Sequence, residues 1–184
     1  MARSFFALWV FPSPLPHKVK GGECTMRDSI DRVALRYLAA VLLGLVMLLL
    51  HGAVQGGPAA VLVPQRASPW ELSKLVYWPV LGACLATSRL GRTPGPVIRD
   101  LPAVVLTSLG AAAANWAVLS AGGSGRLCLA VWGLALAVGM AFGLDGTRRP
   151  RLWLALCLLL GAAYILLTFI PLPWGPFLDP MALG

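Results

Sequence analysis

Five stretches of this chain are each apolar for about the length needed to cross a bilayer, and this limits the fold more than any other feature. The hydrocarbon layer is roughly 30 Å thick, so a helix needs about 20 apolar residues to cross it. The stretches cover 33–54 (with VLLGLVMLLL inside it), 69–90, 101–121, 127–144 and 152–172. Inside a bilayer every backbone polar group must be satisfied internally, so runs of this length are helices. The sequence predicts an all-α membrane protein, a bundle of about five transmembrane helices. Residues 33–172 form the transmembrane domain, 1–32 a cytoplasmic N-terminal segment, and 173–184 an extracytoplasmic Pro-rich tail.

Composition agrees. Hydrophobic residues make up 58% of the chain, charged residues only 12%, and mean hydropathy is +0.78. Soluble domains carry roughly 25% charged residues, which a chain this apolar lacks for covering its surface. The net charge of +8 invites a nucleic-acid reading, since basic patches bind phosphate. The basic residues instead fall in short clusters between apolar runs, which excludes a nucleic-acid partner and leaves the lipid bilayer as the expected environment.

Those clusters also set an orientation, because Lys and Arg gather in cytoplasmic loops. The N-terminal segment holds Arg3, Lys18, Lys20, Arg27, Arg32 and Arg36. The second loop holds Arg89, Arg92 and Arg99, and the fourth Arg148, Arg149 and Arg151. Only Arg66, Lys74 and Arg126 fall on the other side. The alternation predicts the N-terminus inside and the C-terminus outside, in a bacterial plasma (inner) membrane. Within the first segment, FFALWVF is cut short by Pro12, Pro14 and Pro16 and lacks a small-residue cleavage site. Met26, followed by RDSIDRVALRYL, reads as a natural start, with 1–25 an upstream extension.

Chemistry-bearing residues are few. Cys24, Cys84, Cys128 and Cys157 form no CxxC pair and have no His at ligand spacing, so no metal and no cofactor is expected. No HExxH, GxSxG or Walker lysine loop is present. Asn115, deep in the third span, is expected to hydrogen-bond another helix. Gly110 with Ala111–Ala114 in the third span, and Gly139 with Gly143 in the fourth, predict that these two helices pack most tightly.

The most informative stretch is PQRASPWELSKLVYWP, which opens the second span. Ser68 and Glu71 have capping-box spacing: the Ser68 hydroxyl accepts from the Glu71 amide, and the carboxylate reaches back to the Ser68 amide. Pro69 suits the first helical position. Glu71 and Lys74 are three apart, on one face, and are expected to pair. Lys74 either snorkels outward, with Trp70 and Trp78 as interface anchors, or faces a cavity in the bundle. His51 closes the first span on the same outer side, and Asp179 lies in the outer tail. The Pro-rich tail cannot continue a helix, and Trp174 and Phe177 favour its folding over the entrance of the second span. The candidate site is therefore an outer-face polar cluster of His51, Ser68, Trp70, Glu71, Lys74 and Asp179, with no catalytic residue assigned.

This stretch also resembles a motif of an uncharacterised family of small bacterial integral membrane proteins, Pro-x-Asn-Glu-Ser-x-Trp-Glu-x-x-Lys-Leu. In that family it lies in the outer loop after a His that closes the first span, and a tail with Phe, Asp and Pro ends the chain. Here His51, Pro64, Ser68, Trp70, Glu71, Lys74 and Leu75 match, as do Phe177, Asp179 and Pro180. Arg66 and Ala67 stand where the family has Asn and Glu, which makes this chain a divergent member. The resemblance implies a shared fold and outer-face cluster, and supplies no activity.

Three function classes follow. The first is a non-enzymatic membrane subunit or scaffold, partnered by its own copies or by another membrane protein. The second is a small-solute or ion permease or sensor, which at this length works as an oligomer. The third is a membrane-embedded enzyme using the outer-face cluster.

Overall fold

The computed structural model describes residues 22–51, 53–54, 57–90, 96–141, 150–170, 172 and 175–177, with side chains of 22–32, 88–90, 96–99, 141 and 175 excepted. Among them the protein is all-helical: α1 (Gly22–Leu50), α2 (Pro69–Leu90), α3 (Pro96–Ser120), α4 (Gly125–Ala141) and α5 (Pro150–Phe169), with 3-10 turns at Pro58–Val61 and Gly175–Phe177. Three of these helices are long and apolar enough to cross a membrane, over Val33–Leu50, Asp100–Ser120 and Pro150–Phe169. A shorter apolar helix covers Gly125–Met140, and α2 is interrupted by the charges of its first turns.

Proline sets three of the helix starts, at Pro69, Pro96 and Pro150, where the missing N–H has no intrahelical role. The α3–α4 turn follows from glycine. Gly122 adopts φ 74°, and the Gly122 and Gly123 amides bond to the Leu119 and Val118 carbonyls at 3.1 and 2.8 Å. This pattern satisfies the last carbonyls of α3. A Cβ on Gly123 would stand 2.7 Å from the Val118 oxygen, so both positions need glycine. α1 begins at Gly22, before Met26 and well before the apolar run at 33, because its helix continues through the polar RDSIDR segment.

The bundle is centred on α2, which touches all four other helices. Its residues Val76, Tyr77, Val80, Ala83 and Cys84 meet Ala40, Val104, Ala111, Leu136, Met140, Leu160 and Tyr164 in the core. The outer faces are greasier than a soluble protein tolerates: Leu49 is 80% exposed, Ile170 69% and Leu159 68%. Large leucines outside and Lys74, Glu71, Ser73 and Ser108 inside invert the soluble pattern, as hydrocarbon solvation requires.

The most extensive helix interface is α2 with α3, which corrects the expectation that α3 and α4 pack most tightly. The small residues of α3 do not all lie on one side: Ala111 is buried, while Gly110 and Ala113 face outward. Gly139 does meet α3, where a Cβ would come within 2.9 Å of Thr107. Gly143 lies outside the described residues.

Pro79 interrupts α2 and leaves the Leu75 carbonyl, four residues earlier, without its helical donor. Trp132 of α4 supplies the replacement: its indole N–H donates to the Leu75 carbonyl at 2.9 Å. A neighbouring helix thus repairs the break that proline makes.

Candidate functional site

Ser68 caps α2. Its hydroxyl accepts from the Glu71 amide at 3.3 Å and its carbonyl receives the Leu72 amide at 3.0 Å. The other half of the expected capping box is not made. The Glu71 carboxylate accepts the Gln65 backbone N–H at 3.0 Å instead of reaching the Ser68 amide. The loop folds back over the helix entrance and presents that N–H, and Lys74 holds the same carboxylate oxygen at 2.7 Å.

Lys74 does not snorkel. Its side chain has no solvent exposure, and besides Glu71 it donates to the Thr168 hydroxyl of α5 at 2.5 Å. Thr168 in turn donates to the Tyr164 carbonyl at 2.6 Å. Beside it in α2, Ser73 donates to the Trp70 carbonyl at 2.6 Å. That leaves the Ser73 oxygen to accept from the Tyr164 hydroxyl, also at 2.6 Å. α2 and α5 are therefore joined by the Lys74–Thr168 hydrogen bond, the Ser73–Tyr164 hydroxyl pair and an aromatic stack. Tyr164 lies 4.7 Å from Trp70 and 5.0 Å from Tyr77 between ring centroids. The Tyr77 hydroxyl donates to the Cys157 carbonyl at 2.9 Å, passing over Gly161, where a Cβ would come within 2.8 Å of it.

His51 joins through the loop and not by direct contact with α2. Its Nδ1 lies 2.5 Å from the Pro64 carbonyl oxygen. A carbonyl only accepts, so Nδ1 carries the hydrogen and Nε2 is the open nitrogen. Trp78 holds the same loop by donating to the Val61 carbonyl at 3.1 Å, and Trp70 stacks at 5.3 Å on Phe177. The tail thus packs over the entrance of α2 at Phe177. Asp179 lies outside the described residues.

The site includes Thr168, Tyr164, Ser73 and Gln65, which the sequence did not flag. A second cluster was also missed. Arg36 of α1 meets Asp100 of α3 at 3.0 Å and donates to the Thr87 hydroxyl of α2 at 3.1 Å. Opposite charges at the starts of two apolar runs, on the same expected face, were the signal. Asn115 does not make the expected bond through its Oδ1, which is buried without a partner. Ser108, on the same buried face, spends its hydroxyl within the helix on the Val104 carbonyl.

No group of three or more His, Cys, Asp or Glu able to hold a metal ion occurs among the described residues. Gln65, Ser68, Trp70, Glu71 and Thr168 border a cavity of about 10 Å³, room for about one water. A larger recess of about 380 Å³ between α3 and α4 is lined by apolar side chains apart from Thr107, whose hydroxyl bonds the Ala103 carbonyl. No protein-family model matches the chain, and no characterised protein or solved structure shows significant similarity to it.

Proposed function

We propose that this is a five-span, non-enzymatic subunit or scaffold of a bacterial inner membrane, N-terminus inside and C-terminus outside, and a divergent member of the uncharacterised family it resembles. The observation that carries the reading is the closure of the polar cluster. Lys74 has no exposure, and its partners Glu71 and Thr168 border a space the size of one water. An enzyme needs a cleft where substrate reaches a nucleophile, an acid or a base. A permease needs a polar path through the bilayer. Here the carboxylate, ammonium and hydroxyl groups are spent on one another, only the Trp70 indole N–H of the cluster being buried without a partner among the described residues, and the larger recess is apolar. The cluster acts as a clasp between α2 and α5 beneath the loop that carries His51.

Alternation of the helices supports the orientation. Arg36, Thr87 and Asp100 meet at one end, and Glu71, Lys74 and Thr168 at the other. The first end is the one flanked by the Arg-rich segments. The test is purification in lipid nanodiscs, with native mass spectrometry and reconstitution. The expected result is a self-assembly or a second membrane polypeptide at fixed stoichiometry, with no solute or ion flux in proteoliposomes. Flux catalysed by the purified chain alone overturns the reading in favour of the permease.

A further inference from the structure

We infer that the Pro64–Gln65 peptide is a relay through which the protonation state of His51 is felt by the Glu71–Lys74 pair. The two ends of one rigid amide are used in opposite directions. Its carbonyl accepts from His51 Nδ1 at 2.5 Å, and its N–H donates to Glu71 Oε2 at 3.0 Å. The same carboxylate oxygen holds Lys74 Nζ at 2.7 Å, and Lys74 reaches Thr168 on α5. Hydrogen bonds in series polarise one another, by perhaps 10–30% per bond. His51 is exposed, and because Nδ1 carries the hydrogen, the open Nε2 takes the second proton.

The direction follows. An imidazolium is a stronger donor to the Pro64 oxygen. Drawing density toward that oxygen makes the Gln65 N–H a better donor to Glu71. Acidification at this end of the bundle therefore tightens the loop onto the carboxylate of the α2–α5 clasp. The charged groups described here are Arg66 in the loop, Glu71 and Lys74 on α2, and Arg126 at the start of α4. The described end of α5 presents the neutral Thr168 and Tyr164. Among the described residues, none of these bonds the Pro64 carbonyl, which His51 does. The relay depends on this geometry alone, so it stands or falls separately from the scaffold reading.

The test is a pH titration of ¹⁵N-labelled protein in nanodiscs, following the Gln65 amide and the His51 ring. The Gln65 amide proton is expected to move downfield on acidification, with a midpoint shared by the His51 Cε1 proton. His51→Asn keeps an N–H donor for Pro64 without titrating, and is expected to flatten the Gln65 response while leaving the spectrum folded. A Gln65 amide that stays still while His51 titrates overturns the relay, as does a His51 hydrogen on Nε2 at neutral pH. If His51→Asn fails to fold, the wild-type titration decides alone.

Discussion

Gly44 of α1 makes room for Trp132 of α4: a β-carbon at Gly44 would stand 2.6 Å from the ring carbon Cζ2. The ring needs that room because its N–H serves the Leu75 carbonyl that Pro79 leaves open. One glycine, one indole and one proline therefore join three helices. Gly44→Ala is expected to cost about 1–3 kcal/mol through overpacking. Trp132→Phe is expected to cost at least as much, because it also leaves a buried carbonyl unsatisfied. Adding Pro79→Ala to Trp132→Phe should recover part of the loss by restoring a donor to Leu75. Thermal unfolding in detergent measures all three, and strict additivity of the last pair argues against the repair.

Breaking the clasp from one side is expected to be worse than removing it whole. Lys74→Ala or Glu71→Ala leaves a buried, unpaired partner, at about 3–5 kcal/mol. The double substitution Glu71→Gln with Lys74→Met keeps an acceptor for the Gln65 amide and carries no charge. It should be more stable than either alanine variant, as a double-mutant series by thermal unfolding reads directly.

Ser68→Ala removes the hydroxyl that caps α2 and is expected to cost about 1 kcal/mol. Glu71→Gln alone should hold the loop as well as wild type does at Gln65, yet destabilise through Lys74. Amide hydrogen exchange at Gln65 separates the two effects: it should stay protected in Glu71→Gln and lose protection in Glu71→Ala.

Tyr77 and Gly161 should show compensation. Gly161→Ala drives a methyl against the Tyr77 hydroxyl, 2.8 Å away, and is expected to destabilise by about 1–3 kcal/mol. Tyr77→Phe alone should cost about 0.5–1.5 kcal/mol. In the Tyr77→Phe background, Gly161→Ala should cost little. Equal penalties in both backgrounds would show that the hydroxyl does not set the spacing of α2 and α5.

The proposed orientation predicts that alkaline phosphatase fused after Gly184 is active and that a green fluorescent fusion at the same place is dark. The reverse pattern turns the bundle over.

The helices were legible where local chemistry marks them. α2 covers Pro69–Leu90 as expected because Ser68 and Pro69 mark its start. The apolar part of α1 starts at Val33, where the sequence puts the first span, while the helix itself begins earlier, at Gly22, because apolar content marks a span and not a helix. Glu71 and Lys74 could be paired from their spacing. Thr168 and Tyr164 could not, since hydroxyls from a helix 91 to 94 residues away leave no local pattern. The link between His51 and Pro64 was hidden for a different reason: its acceptor is backbone, which every residue carries. The capping box misled because the spacing is right, yet the carboxylate had a better donor in the folded loop.

The separation between Lys74 and Thr168 also has a meaning in time. Lys74 leaves the ribosome 94 residues before Thr168 exists, and α2 is not among the three helices long and apolar enough by themselves to cross a membrane. On the five-span reading, α2 finds its main packing partners in α1 and α3, and the Lys74–Thr168 bond closes only when α5 has been made. A chain interrupted before Pro150 would keep the Glu71–Lys74 pair on α2 and lose only the hydroxyl that Thr168 brings to Lys74.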